Sequence, residues 1–330
     1  MRVLFSRRLK GGQALNREHD ISKLYNALAA NPPVDPSGLG EPTSPPLQRL
    51  LDDLKLGATG LLHPPELVEG PHGQVYSDQS APRVVVVVSA KGGVGRTTLT
   101  AAIASSLQRQ GHPALALELD PQNALRHHAC QAADVPGIGA TSLLHQEWAA
   151  LPVRGFAGCR LVAFGKTDSV QRQSLNRWLG QDGEFLAKRL SGFGLNGQDT
   201  VVIDVPAGDS VFLSQAMSVA DVVLVLVQPD VASFRSLAQA DSFLSPYLMH
   251  AKSPHRFYVI NQLDEAHHFS QYMVEVFKLR LGDALLGTIR RDPSFNEAQA
   301  YGRDPLDPAI NSIGCEDINA VCRTLLGRID

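Results

Sequence analysis

The residue types best suited to chemistry stand in one short run, Ser89-Ala-Lys-Gly-Gly-Val-Gly-Arg-Thr-Thr98. Glycines at Gly92, Gly93 and Gly95, with Val94 between them, allow successive backbone N–H groups to curl around an anion. A helix beginning here would add the partial positive charge of its N-terminus, Lys91 and Arg96 add full charges, and the hydroxyls of Thr97 and Thr98 can reach phosphate or magnesium. The run reads as a nucleotide phosphate cradle. The plain alternative is a glycine-rich turn without a ligand. Strand, loop chemistry and helix occur together and in order, which favours the cradle.

Other reactive residue types group less well. Cys130, Cys159, Cys315 and Cys322 lie far apart without a CxxC pair, so they read as small buried side chains or inert surface thiols. The pairs His127-His128 and His267-His268 lack an acidic or cysteine partner at ligand spacing, and no metal site is expected from them. Trp148 and Trp178 read as core or interface, since no basic residues are interleaved with them as base stacking would want.

The elements that must position the loop are legible in the apolar runs. The five valines at 84–88 are too apolar for a one-sided strand and belong at the centre of a sheet covered on both faces. Comparable runs recur at 114–119, 200–203, 222–227 and 257–260, with helix-length segments between several of them. A helix is expected from the loop to about Gln110, stopped by Gly111. This rhythm predicts an α/β protein with a doubly wound, mostly parallel sheet, occupying residues 83–330. The final apolar stripe, Ile318, Val321, Cys322, Leu325 and Leu326, is expected to pack into the core.

Residues 1–82 have a different texture. Two short apolar stripes, at 20–28 behind an N-capping Asp20 and at 47–56, flank a Pro-rich spacer, and each is too short to hold a helix alone in water. They read as a tail that folds back on the main domain or docks a partner. The first 17 residues hold five basic side chains and no acidic one.

Across 330 residues the composition, 44% hydrophobic and 19% charged with a net charge of −3, is that of a soluble globular protein, and the length allows about two domains. No apolar run reaches membrane-span length and no secretory leader is visible, which predicts a cytoplasmic location without direct membrane insertion. Residues 201–330 carry 10 Lys and Arg against 16 Asp and Glu, a surface that disfavours nucleic acid.

The motif Lys-Gly-Gly-Val-Gly-x-Thr-Thr resembles the deviant Walker A loop of MinD/ParA-class P-loop ATPases. The resemblance covers residues 83–330 and implies ATP with Mg2+ as cofactors and a homodimer closed around two nucleotides, with Lys91 reaching phosphate across the interface. It further implies Asp120, in Glu118-Leu-Asp-Pro-Gln-Asn-Ala-Leu-Arg126, as the residue orienting attacking water; its alternative is a helix cap or strand-end carboxylate. Val201-Val-Ile-Asp-Val-Pro-Ala-Gly208 resembles Walker B and the following switch, which assigns Asp204 with Thr97 to the metal and Pro206 to a loop sensing the γ-phosphate. Asn261 matches the adenine-reading position, and Arg290 lies in the segment that closes over the base. The implied catalytic set is Asp120, Lys91 and Arg96. Arg96 replaces the usual second lysine, and its planar fork is a poor substitute for an ammonium at a tight phosphate site, so retained binding with slow or no hydrolysis is expected.

Within the class, the loop lacking its second lysine, Pro121-x-Asn-x-Leu-Arg126 and Ile289-x-Arg-Asp292 resemble the BcsQ family of cellulose-secretion operons. That implies an assembly or localisation factor for the cellulose synthase complex, recruited to the inner membrane by partners. The alternatives are a nearly inactive nucleotide-bound scaffold and a partition or pole-positioning ATPase.

Overall fold

The computed structural model describes residues 81–129, 135–249, 253–310 and 312–329. The stripes expected at 20–28 and 47–56, the Pro-rich spacer and Cys130 lie outside the described residues.

Strands β1 (Arg83–Val88), β2 (Ala114–Glu118), β3 (Val153–Arg154), β4 (Arg160–Val162), β5 (Thr200–Asp204), β6 (Val222–Val227), β7 (His255–Leu263) and β8 (Leu285–Arg290) form one sheet. Its order is β3-β4-β2-β5-β1-β6-β7-β8. Every neighbouring pair is parallel except β3 with β4. The helices are α1 (Arg96–Arg109), α2 (Leu125–Ala129), α3 (Ile138–Leu143), α4 (Ser169–Leu179), α5 (Phe185–Ser191), α6 (Val211–Met217), α7 (Val231–Leu248), α8 (His268–Leu281), α9 (Ser294–Ala300) and α10 (Ile313–Ile329).

The valine run lies at the sheet centre, between β5 and β6, with Val84 to Val88 all buried. Because side chains alternate across a strand, each central strand feeds two cores. One collects Val85, Val87, Val202, Leu224 and Val259 with Leu99, Ile103 and Leu107 of α1 and Ile318, Val321 and Leu325 of α10, so the C-terminal stripe does pack inward. The other is richer in aromatic rings: Trp148 and Trp178 meet Phe185 edge-on at 5.5 and 4.7 Å, and Phe164 meets Phe212 at 5.7 Å. Cys159, Cys315 and Cys322 are buried and form no disulfide with one another.

Three features escaped the sequence reading. Val153–Arg154 is too short to show a strand period, yet it forms an antiparallel edge with β4 through a turn in which Ala157 and Gly158 take left-handed backbone. Helix α4 starts at a capping box, Asp168 with Gln171, that precedes a mostly polar stretch. The third is a glycine-to-glycine approach. Gly137 bridges to Ala163 beside Gly165, so a Cβ on Gly137 would lie 2.2 Å from the Gly165 nitrogen.

Gly137→Ala must therefore push two backbones apart, and we expect it to cost about 3 kcal/mol in chemical denaturation. Gly183→Ala, whose Cβ would meet nothing within 4 Å, should change stability by less than about 0.5 kcal/mol.

Candidate functional site

Parallel strands deliver their carboxyl ends to one edge of a sheet, and crevices for ligands open there, where neighbouring connections depart in opposite directions. Here β1 ends in the glycine loop, β2 in Glu118 with Asp120 just beyond, β5 in Asp204, and β7 carries Asn261 near its end. These residues are far apart in sequence, and the register Glu118↔Asp204 and Val87↔Asp204 sets their ends side by side.

The loop itself is open where a ligand would enter. Gly92 and Gly93 are exposed, and a Cβ on either would meet nothing within 4 Å. Gly93 and Gly95 have φ of 76° and 92°, so both need glycine to hold this curl at low cost. At Gly95 space is also closed, since a Cβ would lie 2.6 Å from Nδ2 of Asn261. That same amide donates to the Val94 carbonyl at 2.8 Å, so Asn261 braces the back of the loop.

Behind the loop is a buried group of charges. Thr97 Oγ1 donates to Asp204 Oδ2 at 2.7 Å. Arg96 places a guanidinium nitrogen 3.6 Å from Asp120 Oδ2, with the two side chains 10% and 7% exposed. At that length the contact is an ion pair rather than a good hydrogen bond. Among the described residues, one guanidinium nitrogen of Arg96 and Oδ1 of Asp204 are buried here without a hydrogen-bond partner. Orphaned buried atoms are costly, and a positive and a negative one at the same end fit the two halves of a magnesium–phosphate ligand. The residues present thus suit the pair: the loop amides and Arg96 for phosphate, Thr97 and Asp204 for the cation.

Burial pushes the Asp204 carboxyl up to about 7, with the Thr97 hydrogen bond and the Arg96 charge pulling it down and Asp120 pushing it up. Glu118, wholly buried, is also raised to about 7, first by burial and then by Asp204, against backbone donors that lower it.

The remaining candidates hold other contacts. Lys91 turns to its own chain, pairing with Asp230 at 3.1 Å and donating to Gln228 at 3.3 Å. Both partners of this ion pair are more than a third exposed, so it is worth no more than about 1 kcal/mol and is easily exchanged for a phosphate. Asp230 also caps α7 through Ser233, and Gln228 bonds Gln262, which takes a left-handed φ of 61°. Arg290 makes a two-pronged contact with Asp317 of α10 at 2.8 Å. Pro206 lies in the turn after β5, where the Gly208 amide donates to the Ser89 carbonyl at 3.0 Å and ties that turn to the glycine loop. Thr98 faces His128 at 3.4 Å, and His128 in turn meets Gln299 of α9 at 3.2 Å.

Sequence reasoning passed over Glu118, Gln228, Asp230 and Gln262. A carboxylate two residues before Asp120, on the same side of the strand end, was the available signal for Glu118. Nothing in the sequence couples Gln228 to Gln262, because their contact comes from the pairing of β6 with β7.

Comparison with known proteins bears on the family and the fold. The family described as "Cellulose biosynthesis protein BcsQ" matches residues 83–326. The Salmonella typhi protein of that name is 31% identical over 142 residues, covering 42% of this chain and 56% of the relative, so the chain spans about half that protein's length. Among solved structures, the septum site-determining protein MinD complexed with Mg-ADP from Pyrococcus horikoshii superposes with a TM-score of 0.59 at 17% identity, covering 76% of this chain and 99% of that one. A ParA family ATPase from Chlorobium tepidum gives 0.55 at 19% identity, covering 74% and 99%. These two likenesses concern the fold, which is that of MinD/ParA-class P-loop ATPases. The chain belongs to the BcsQ family.

The raised carboxyls give a pH signature. Asp204 and Glu118 hold protons in the folded chain up to about pH 7 but release them near their ordinary values of 3.8 and 4.5 when unfolded. Their contribution to stability is complete below those ordinary values and is lost as pH rises through about 7. Asp204→Asn stays neutral, so in chelator its melting temperature relative to the parent should rise between about pH 5 and about pH 8. A difference that does not change with pH would contradict the assignment.

Proposed function

We propose that this chain binds ATP with Mg2+ in the crevice at the carboxyl edge of its sheet and uses binding to form a homodimer that serves assembly or localisation of the cellulose synthase and secretion complex. The observation that carries the nucleotide reading is the pair of buried, unpartnered atoms on Arg96 and Asp204 beside an open glycine loop. The cellulose connection rests on the family.

The residues divide the work by chemistry. Loop amides from Gly92 to Thr98 and the N-terminus of α1 would cradle phosphate oxygens, with Thr97 and Asp204 holding the cation. Bound Mg2+ supplies charge neutralisation at the phosphates. Arg96 would leave Asp120 for phosphate, and the freed Asp120 carboxylate would accept a hydrogen bond from attacking water. Lys91 would exchange Asp230 for a phosphate in the facing subunit. Asn261 would keep the loop in shape and read the base edge with whatever hydrogen-bonding capacity remains.

Turnover in this reading is slow. A guanidinium that must break a buried ion pair before reaching phosphate is poorly placed to follow charge developing in the transition state. The same contact favours a second reading, in which ATP is a structural cofactor stapling the dimer and stabilising it by mass action. We assign residues 83–330 to the ATPase domain and residues 1–82 to a tail that docks partners at the inner membrane's cytoplasmic face. No helix among the described residues is long and apolar enough to cross a membrane.

Light scattering with and without Mg-ATP should show nucleotide-dependent dimers in the parent and only monomers in Lys91→Ala. A dimer fraction unchanged in that variant would take Lys91 out of the interface. Arg96→Lys should raise turnover about tenfold, equivalent to about 1.4 kcal/mol of transition-state stabilisation, with nucleotide affinity within about twofold of the parent. Equal turnover in the two proteins would overturn the role given to Arg96.

A further inference from the structure

Glu118, an acid buried at the carboxyl edge of the sheet, takes no part in the proposed mechanism. Glu118 ends β2, is 0% exposed, and lies in register with Asp204. One of its oxygens accepts the Leu125 N–H at 2.8 Å, and the other accepts the Phe164 N–H at 3.3 Å. Leu125 opens α2, and its N–H is one of those a helix start leaves without an internal partner. Phe164 follows β4. A single carboxylate therefore joins the ends of β2 and β4 and the first turn of α2.

Between Glu118 and Leu125 lies the turn that carries Asp120. Leu119 donates to the Asp204 carbonyl at 2.8 Å, Gln122 N donates to Asp120 Oδ1 at 3.0 Å, and Asn123 N donates to the Asp120 carbonyl at 3.0 Å. Asn123 sits at a left-handed φ of 53°, and its side-chain oxygen accepts from Gly165 at 2.9 Å. Glu118 closes this turn at both ends, and Phe164 and Gly165 hold its outer side. A glutamine could offer only one acceptor oxygen, and its NH2 would face a backbone N–H. An aspartate would keep the carboxyl group and lose the reach.

We propose that Glu118 is a positioning residue: its two-pronged hold on Leu125 and Phe164 fixes the turn from which Asp120 addresses Arg96 and the attacking water. The inference deepens the nucleotide reading and rests on it for its catalytic half; the tether itself stands on the ligand-free geometry. Glu118 then acts on the transition state through Asp120 and leaves ground-state nucleotide binding alone.

Two measurements on the full chain separate these parts. In the ligand-free protein, hydrogen exchange at the amides of Asn123 and Leu125 should accelerate at least tenfold in Glu118→Gln, while α1 amides keep their protection. Glu118→Asp, which is better tolerated should the glutamine variant fail to fold, should show the same local loss. In the second measurement, Mg-ADP affinity should stay within twofold of the parent in both variants, while fluoroaluminate trapping of Mg-ADP, which mimics the transition state, should weaken at least tenfold. Adding Asp120→Ala should weaken it no further.

Unchanged exchange at Asn123 and Leu125 overturns the tether. Unchanged trapping, or a loss additive with Asp120→Ala, overturns the action through Asp120. Parallel losses in Mg-ADP affinity and trapping reduce Glu118 to a general structural support and overturn the proposal. A parent protein that binds no Mg-ADP overturns the nucleotide reading and with it the catalytic half, and the exchange experiment still decides the tether.

Discussion

Burying a guanidinium beside carboxyl groups is expensive unless the charges are well paired, and the pairing around Arg96 is incomplete. Its contact with Asp120 is long, one of its nitrogens has no partner, and Asp204 nearby has an oxygen in the same condition. Three acids, Glu118, Asp120 and Asp204, gather at one end of the sheet near the Arg96 guanidinium. Raised proton affinity at Asp204 and Glu118 follows directly, because burial disfavours the second and third negative charges more than one guanidinium can offset. In the proposed function a metal-bound polyanion relieves this imbalance: the cation would meet the acids and the phosphates would meet the guanidinium. Folding energy for holding the arrangement comes from elsewhere, chiefly from the apolar strands on either side.

Those strands explain how the charges can be kept close. Val85 and Val87 of β1 share one core with α1 and α10, and the other valines contribute to the opposite face, so the loop after Val88 leaves a buried base. The turn after β5 is tied to the start of the loop by Gly208 and Ser89, and Asn261 braces the loop from behind. By contrast, the Lys91 side chain is held by a partly exposed ion pair with Asp230 and a hydrogen bond to Gln228. The site thus combines a stiff back, made of backbone and buried bonds, with a front residue that can change partner at small cost.

Much of this was legible in the residues. Runs of β-branched side chains mark the central strands because a strand covered on both faces has no polar alternation to hide it, and the glycine loop is recognisable because its geometry excludes other residue types. The strand ends were legible too, since Asp120 and Asp204 terminate apolar runs. The role of Glu118 was not. It looked like the last residue of a strand, and its meaning depends on β4 and α2, brought to it by sheet order. For the same reason Arg290, well placed by motif, proves to be engaged by Asp317 from a helix 27 residues later. The edge strand β3 is two residues long and has no period to read. Tertiary pairing decides such positions, and spacing along one chain does not record it.

The central claim is that the buried charges at the sheet's carboxyl edge form a site for a magnesium-bound nucleoside triphosphate into which Arg96 turns. A crystal structure of the full chain with Mg2+ and a non-hydrolysable ATP analogue tests this most directly. The account predicts the phosphates within the loop from Lys91 to Thr98, the cation between Thr97 and Asp204, and the Arg96 guanidinium moved from Asp120 onto a phosphate oxygen. A loop without nucleotide at saturating analogue, or an Arg96 that stays on Asp120 beside bound phosphates, would contradict it.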